Sequence, residues 1–348
     1  MYQGLENLWS KMAPALSPLG LLYGGLMRLR RWAYARGLQP SYRPRAFVIS
    51  VGNLSLGGEG KTPLVCSLAR FLKEKGLRVA ILSRGYRGRA RGVVFASRGT
   101  GPLEDPELVG DEAYLLALES KVPVVVARDR VQGAFWAIKE FEAEVLLLDD
   151  GFQHLRLGRD LDLVAFSATR KTLKERVFPA GRLREPKSAL YQADALVVTK
   201  TNLAPAAAQA LAAKLSQFGR PVFEVPFLYR RPYLLTDARQ VAGAPSYFVF
   251  CGLADPASFL TAAQKVGPVR GFWALPDHVR YRPGLIKKIK QAQERAGAAA
   301  LLTSTKDAVK LLPFGRELGP CYVLPAEACL GKELKNFVWE RLKGHTRA

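Results

Sequence analysis

The chain has 348 residues, of which 49% are hydrophobic and 24% are charged, a composition that excludes a disordered protein and a length that suits two domains. Its 52 lysines and arginines exceed its 30 aspartates and glutamates and give a formal net charge of +22, which favours acidic partners such as nucleic acid, anionic lipid or a phosphorylated substrate. The four cysteines form no CxxC pair and there are three histidines, so a disulfide framework and a structural zinc site are disfavoured and a reducing cytosol is expected.

The first predicted element is an apolar helix near the N-terminus. Residues 13–27 are too few to span a bilayer comfortably, and they lack the basic leader and cleavage site of a signal peptide. One helical face carries leucines and arginines follow closely: Leu19, Leu22, Leu26 and Leu29, then Arg28, Arg30, Arg31 and Arg36. The pattern favours a helix that lies in a membrane interface above anionic head groups, within residues 1–37. A helix that packs on the core and has a solvated basic end is the alternative.

A glycine-rich loop follows the first predicted strand, at residues 46–51. Loop and helix read VGNLSLGGEGKTPLV from Val51 to Val65. This is close to the phosphate-binding pattern of Gly, four residues and Gly-Lys-Ser/Thr, except that Ser55 replaces the first glycine. Strand, loop and helix follow in the order that presents backbone N–H groups to an anion. The predicted nucleotide-binding residues are Ser55, Leu56, Gly57, Gly58, Glu59, Gly60, Lys61 and Thr62. Lys61 is expected to reach the β- and γ-phosphates and Thr62 to hold Mg²⁺; an ordinary glycine-rich turn is the alternative.

Five further apolar runs repeat the pattern of the first strand, and helical stretches separate most of them. They cover residues 77–82, 122–126, 145–148, 161–166 and 195–198. Six such strands predict an α/β fold with a P-loop NTPase-like, doubly wound parallel sheet over residues 38–220, whose ligands gather beyond the carboxyl ends of the strands. A two-stranded ribbon, 221–229 with 232–235, is predicted within a linker at 221–240. A second, smaller α/β domain is predicted at 241–348, with strands at 247–250, 269–273, 299–303 and 322–324.

The run at 145–148 ends in two acids, Asp149 and Asp150. A hydrophobic strand that ends in an acid is the usual partner of a phosphate loop, where the carboxylate holds Mg²⁺ directly or through water. Alone the motif is weak, because many strands end in aspartate for capping reasons. Together with the glycine loop it predicts a metal-assisted phosphate site, and the chain continues into the rarer string GFQH.

Seven motifs occur together and in order along the chain. They are VGNLSLGGEGKTP, LSRGYRG from Leu82, VGDE from Val109, LLDDGFQH from Leu147, FPAGRLREP from Phe178, LPDH from Leu275 and TKDAVK from Thr305. With these motifs the chain resembles the tetraacyldisaccharide 4′-kinase family over nearly its whole length, and DDGFQH is the most specific element. That family also begins its phosphate loop with serine, which accounts for Ser55. Thr305 departs from the glutamate that the family commonly has before the late Lys-Asp.

The resemblance implies a kinase that transfers the γ-phosphate of ATP to the 4′-hydroxyl of a tetraacylated glucosamine disaccharide 1-phosphate, a late step of lipid A biosynthesis. It implies ATP and Mg²⁺ as cofactors and the lipid A precursor as substrate. Because that substrate resides in a membrane, the apolar helix is expected to attach the protein peripherally to the cytoplasmic face of the bacterial inner membrane. Anionic membrane lipids, and not nucleic acid, are then the expected further partners.

The resemblance also assigns catalytic roles. In the family a carboxylate–histidine pair accepts the proton of the sugar hydroxyl, and the matching residues are Asp111 and His278, which join Lys61 as the predicted catalytic set. Without the resemblance, Asp111 reads as a helix N-cap and His278 as a loop histidine. The two lie in different predicted domains, so catalysis is expected to require the domains to close on each other.

Other predicted site residues surround this set. Glu185 matches a family acid near the phosphates and joins Thr62, Asp149 and Asp150 as a predicted metal ligand. The predicted substrate and loop residues are Tyr86, Arg87, Gln153, His154 and Arg184. A solvated basic loop is the alternative for Arg182 and Arg184, and His154 is open to a purely structural role against a buried carbonyl.

Two other classes of protein compete with the kinase. A membrane-associated GTPase reads guanine with Asn-Lys-x-Asp, but the nearest stretch, Thr199-Lys-Thr-Asn202, lacks both the Asn and the Asp; another ATP-driven switch stays open. A nucleic-acid-dependent ATPase is suggested by the charge alone, because the aromatics are not interleaved with basic runs as in single-strand-binding proteins.

Overall fold

The structure, a computed structural model, describes residues 2–240 and 243–346, with side chains for residues 13–237 and 243–344. The helices are α1 (Tyr2–Ala35), α2 (Lys61–Glu74), α3 (Pro106–Val109), α4 (Asp111–Glu119), α5 (Arg130–Phe141), α6 (Pro205–Ser216), α7 (Pro256–Gln264), α8 (Pro283–Arg295), α9 (Thr305–Leu311), α10 (Gly315–Leu318) and α11 (Lys332–Thr346). Short 3₁₀ turns lie at Thr172–Lys174, Lys187–Gln192, Thr201–Leu203 and Leu312–Phe314.

The strands fall into two main sheets and one short pair. They are β1 (Phe47–Gly52), β2 (Val79–Ser83), β3 (Val93–Arg98), β4 (Pro123–Ala127), β5 (Val145–Asp149), β6 (Leu161–Ser167), β7 (Ala195–Thr199), β8 (Val222–Val225), β9 (Phe227–Tyr229), β10 (Tyr233–Leu234), β11 (Asp237–Gln240), β12 (Tyr247–Cys251), β13 (Val269–Ala274), β14 (Ala300–Ser304), β15 (Cys321–Leu324) and β16 (Ala326–Ala328).

The first sheet has eight strands in the order β3-β4-β2-β5-β1-β6-β7-β8. Its ladders are parallel except that of the edge strand β3, which runs antiparallel to β4. The central strand β1 is buried along its whole length, which explains why it reads as a continuous apolar run. The doubly wound sheet and all six of its predicted strands are confirmed. Strand β3 at one edge is additional, and β8 at the other edge belongs to the segment that was predicted as part of the ribbon.

The second sheet has six strands in the order β11-β10-β15-β14-β12-β13, and its four longer predicted strands are confirmed. The predicted ribbon was wrong, because its two segments do not pair with each other. Strand β8 joins the first sheet beside β7, β9 pairs with β16, and β10 joins the second sheet beside β15. Pro226 separates β8 from β9 and has no N–H to continue a ladder.

The last helix, α11, packs on the first sheet's core, although the sequence prediction assigned it to the second domain. Leu334, Val338 and Leu342 recur every four residues and are buried in the cluster that contains α2 and β1. The ring of Phe337 lies 5.2 Å from that of Phe223 on β8. The chain therefore returns to its first domain after it has built the second.

Helix α1 (Tyr2–Ala35) lies within the predicted range 1–37 and has two contrasting faces. The four leucines of the predicted stripe are exposed, between 54% for Leu26 and 64% for Leu22, so the core-packing alternative was wrong for this face. Arg31, by contrast, is only 4% exposed, which corrects the prediction that it faces lipid head groups. Among the described residues no helix is long and apolar enough to cross a membrane.

Candidate active site

The glycine loop connects β1 to α2 and has the backbone of an anion-binding turn. Gly57 and Gly60 have φ angles of 132° and 77°, which side-chain-bearing residues rarely adopt. A Cβ on Gly60 would also collide with Phe227. Lys61 begins α2, and its Nζ donates to Asn53 Oδ1 at 2.8 Å and lies 3.2 Å from Asp150 Oδ1. The lysine therefore stands between the loop and the acids that end β5.

Ser55 has a structural reason to replace the expected glycine. Its hydroxyl donates to Glu59 Oε1 at 2.5 Å, inside the protein. The same carboxylate accepts from the backbone N–H of Ser167 at 2.6 Å and from the hydroxyl of Thr172 at 2.7 Å. Glu59, a predicted nucleotide-binding residue, thus turns its side chain inward and ties the loop to the segment after β6.

The two acids at the end of β5 occupy different electrostatic environments. Burial, followed by the charges of Glu112 and Asp150, raises the pKa of Asp149 to about 7. Burial opposes ionisation of Asp150 as well, but Lys61 and Arg184 outweigh it and hold its pKa well below the usual range. Arg184 donates to Asp150 Oδ2 at 2.6 Å, so this arginine belongs to the site and not to a solvated loop.

The predicted metal ligands are only partly together in this structure. Within the described residues, no three histidine, cysteine or acidic side chains form a group that could hold a metal. Glu185 is buried against α1, where its Oε2 lies 2.6 Å from Arg31 Nε, and its Oε1 has no hydrogen-bond partner among the described atoms. Magnesium commonly takes one or two carboxylates together with water and substrate phosphate, and the buried carboxylate of Asp149 at the end of β5 fits that smaller set. Ligation by Thr62 and by Glu185 stays a prediction.

The GFQH string organises the loop around the acids. Gln153 donates from Nε2 to the carbonyl of Asn53 at 3.0 Å and accepts from Arg184 at 3.4 Å. Burial, reinforced by the charge of Arg130, lowers the pKa of His154 to about 4, so this imidazole is neutral near pH 7. Its Nε2 has no hydrogen-bond partner among the described atoms.

Asp111 and His278 come together between the two sheets. His278 follows β13 with a φ of 57°, and its Nδ1 lies 3.6 Å from Asp111 Oδ2. Asp111 is the first residue of α4, and Gly110 occupies the N-cap position before it, so Asp111 is not the N-cap residue of this helix. Burial raises the pKa of Asp111, but His278, Lys310 and Lys306 together lower it below its ordinary value.

Two lysines of α9 complete the surroundings of this pair, and the sequence analysis assigned them no role. Lys306 Nζ lies 3.2 Å from His278 Nε2 and 3.1 Å from Asp277 Oδ1, while Lys310 Nζ lies 3.7 Å from Asp111 Oδ2. Burial lowers the pKa of Lys306, but Glu112 and Asp277 more than offset this and raise it. Lys306 is therefore an ammonium beside the imidazole.

Tyr86 and Arg87 line the same cleft from the first domain. The ring of Tyr86 meets that of His278 edge-on at 5.5 Å, and Arg87 donates to the carbonyl of His278 at 3.1 Å. This loop therefore contacts the second domain at the histidine that the first domain's Asp111 faces.

Several contacts of the site had a signal in the sequence and others had none. Asn53, Lys306 and Lys310 lie inside motifs that were recognised, so their position beside Lys61, His278 and Asp111 was within reach. Arg31 gave no signal of its own, because its partner Glu185 is 154 residues away. Thr305 begins α9, and a function for it stays untested.

Comparisons with known proteins point to one family. The family model described as tetraacyldisaccharide-1-P 4′-kinase matches residues 12–343. A tetraacyldisaccharide 4′-kinase of Desulfotalea psychrophila is 40% identical over 314 residues, which cover 88% of this chain and 89% of the relative. One of Chromobacterium violaceum is 35% identical over 354 residues, which cover 97% and 98%. A crystal structure of LpxK from Aquifex aeolicus in complex with ATP matches with a TM-score of 0.76 and 32% sequence identity, over 95% of this chain and 99% of that one.

Proposed function

The chain belongs to the tetraacyldisaccharide-1-P 4′-kinase family, and from this we infer that it transfers the γ-phosphate of ATP to the 4′-hydroxyl of a tetraacylated glucosamine disaccharide 1-phosphate in lipid A biosynthesis. The observation that carries the assignment to this site is the carboxylate–histidine pair, in which Asp111 Oδ2 lies 3.6 Å from His278 Nδ1. The charge of Glu112, the neighbour of Asp111, contributes to the raised pKa of Asp149, which supports one cleft for the pair and the phosphate site.

Asp111 is the base that accepts the proton of the sugar hydroxyl. A hydroxyl is a weak nucleophile, so its proton must have an acceptor as the new bond to phosphorus forms. An ammonium can only donate hydrogen bonds, so His278 Nε2 accepts from Lys306 and Nδ1 carries the proton that faces Asp111. The separation of 3.6 Å is long for a hydrogen bond, as in many catalytic pairs before substrate arrives.

The phosphate side of the cleft supplies positive charge. Lys61 reaches the β- and γ-phosphates, and Arg184 compensates the charge that accumulates during transfer. Thr62 and Asp149 would hold Mg²⁺, with Asp150 and Glu185 as further candidates, and the ion would neutralise charge on the phosphate oxygens. Asn53 accepts hydrogen bonds from Lys61 and Gln153 and so holds the glycine loop against the segment that follows the two acids.

We further propose that the protein binds peripherally to the cytoplasmic face of the inner membrane, with anionic lipids as partners. The exposed leucines of α1 supply an apolar face that suits the boundary between head groups and acyl chains. The net charge of +22 adds attraction to an anionic surface.

The test is direct transfer of label. Purified protein is incubated in detergent with γ-labelled ATP and the tetraacylated disaccharide 1-phosphate, and labelled lipid is separated from ATP. The same lipid with a blocked 4′-hydroxyl is the control acceptor. Label on the control acceptor, or none on either lipid, would reject the assignment; ATP hydrolysis stimulated by DNA but not by lipid would favour a nucleic-acid-dependent ATPase.

A further inference from the structure

Two arginines of α1, Arg30 and Arg31, contact the rest of the protein, and Arg31 is buried on the side opposite the exposed leucines. The guanidinium of Arg31 makes three contacts: Nε with Glu185 Oε2 at 2.6 Å, Nη2 with the carbonyl of Phe152 at 3.0 Å, and Nη1 with Gln192 Oε1 at 3.1 Å. It also stacks over the ring of Phe152 at 4.1 Å. Arg30 donates both of its Nη groups to the next carbonyl, that of Gln153, at 3.2 Å.

These contacts hold the stretch that carries the acids. Phe152 and Gln153 come two or three residues after Asp150, and Gln153 in turn reaches the glycine loop through Asn53. Glu185 directly follows Arg184, the partner of Asp150. One guanidinium therefore joins two segments whose side chains, Asp150 and Arg184, face each other in the phosphate site.

The arrangement needs the shape of arginine as well as its charge. A guanidinium presents several donors in a fixed plane, whereas a lysine ammonium is a point charge that cannot bridge a carboxylate and a carbonyl in the same way. Burial lowers the pKa of Arg31 and raises that of Glu185, and loss of either partner leaves a buried charge uncompensated. An arginine that served only to attract head groups would have no reason to be buried.

We propose that Arg31 is a positioning residue of the kinase, which fixes the Asp150–Gln153 stretch against Glu185 and makes α1 part of the active-site framework as well as a membrane anchor. The proposal rests on the function proposed above. It predicts that the packing of α1 against the protein and the kcat of phosphoryl transfer both depend on the side chain of Arg31.

The test compares Arg31→Gln and Arg31→Lys with Arg36→Gln, a control one residue beyond the end of α1, whose exposed arginine stacks over Trp32. In detergent without anionic lipid, Arg31→Gln should lower kcat per folded molecule by about 10- to 100-fold, the size expected for a small misplacement of reacting groups. The KM for lipid should stay within about twofold, because the misplacement affects the transition state and not the binding of the acceptor. The kcat of Arg31→Lys should lie between that of Arg31→Gln and that of the Arg36→Gln control, which should be unchanged.

A second readout is independent of activity. Hydrogen–deuterium exchange of the amides of residues 151–154 should be faster in Arg31→Gln than in the parent protein and unchanged in Arg36→Gln. If Arg31→Gln does not fold, Arg31→Lys and Arg30→Gln must show both effects in weaker form. Unchanged kcat and exchange in the folded variants overturn the proposal, as does a loss confined to liposome binding and KM. A parent protein that transfers no phosphate would reject the proposed function, while the exchange measurement would still decide the role of Arg31.

Discussion

Removal of Asp111 and His278, singly and together, tests whether they form one chemical unit. Asp111→Ala removes the base, which is expected to lower kcat by roughly 10²–10⁴-fold. His278→Ala removes the Nδ1–H group that faces Asp111 at 3.6 Å and that is expected to close to a hydrogen bond when substrate binds. A hydrogen bond to a charged group is worth about 1.5–3 kcal/mol, or roughly 10- to 100-fold in rate. Because an imidazole without its carboxylate has nothing left to orient, the double variant should be little worse than Asp111→Ala.

The assay is single-turnover transfer of labelled phosphate at saturating ATP, with ATP affinity measured separately. Affinity for ATP should survive in all three variants, because Lys61 and the glycine loop are unaltered. Asp105→Ala is the matched control, since this aspartate is exposed and makes no capping hydrogen bond at the start of α3. Losses that multiply in the double variant would refute the pairing. If the Asp111→Ala protein is less stable but has an unchanged kcat, Asp111 has only a structural role at the start of α4.

Three further outcomes are expected. Lys61→Ala should abolish transfer in a folded protein, because it removes the point charge on the β- and γ-phosphates, and full activity would reject the phosphate loop. The pKa of Asp149 is raised to about 7, and a carboxylate must lose its proton to bind a metal. The apparent affinity for Mg²⁺ should therefore fall as the pH drops below about 7. A Mg²⁺ titration with the same midpoint above and below that pH would contradict this. Serine at Leu19, Leu22, Leu26 and Leu29 should weaken flotation with anionic liposomes but not kcat in detergent, and equal flotation would remove the membrane role of this face.

The interior strands were predictable because burial on both faces leaves a continuous apolar run, as in β1 and β5. The edge strand β3 was not predicted, and β8 was predicted as a strand but not as an edge of this sheet, since both are partly exposed and mix polar with apolar residues. The ribbon was wrong for a related reason: short segments on either side of Pro226 are compatible with several partners. Only the tertiary fold determines that β8 pairs with β7, β9 with β16 and β10 with β15.

The residues of the candidate site also fall into a predictable and an unpredictable group. Residues within one motif, such as Lys61 and Asp149, were found because the spacing itself carries the chemistry. Contacts between distant segments were not, and Arg31 is the clearest case, because hydropathy alone places an arginine after an apolar helix at a membrane surface. The structure puts its charge against Glu185 instead.

The return of α11 to the first sheet affects the order in which the chain folds during synthesis. The second sheet comes from one contiguous stretch, residues 233–324, and can close as soon as that stretch leaves the ribosome. The core of the first sheet also needs Leu334, Val338 and Leu342, so it stays incomplete until α11 has been made. We therefore expect the later domain to mature first, the reverse of the usual N-terminal-first order, and the nascent first domain to bind chaperones until α11 covers α2 and β8.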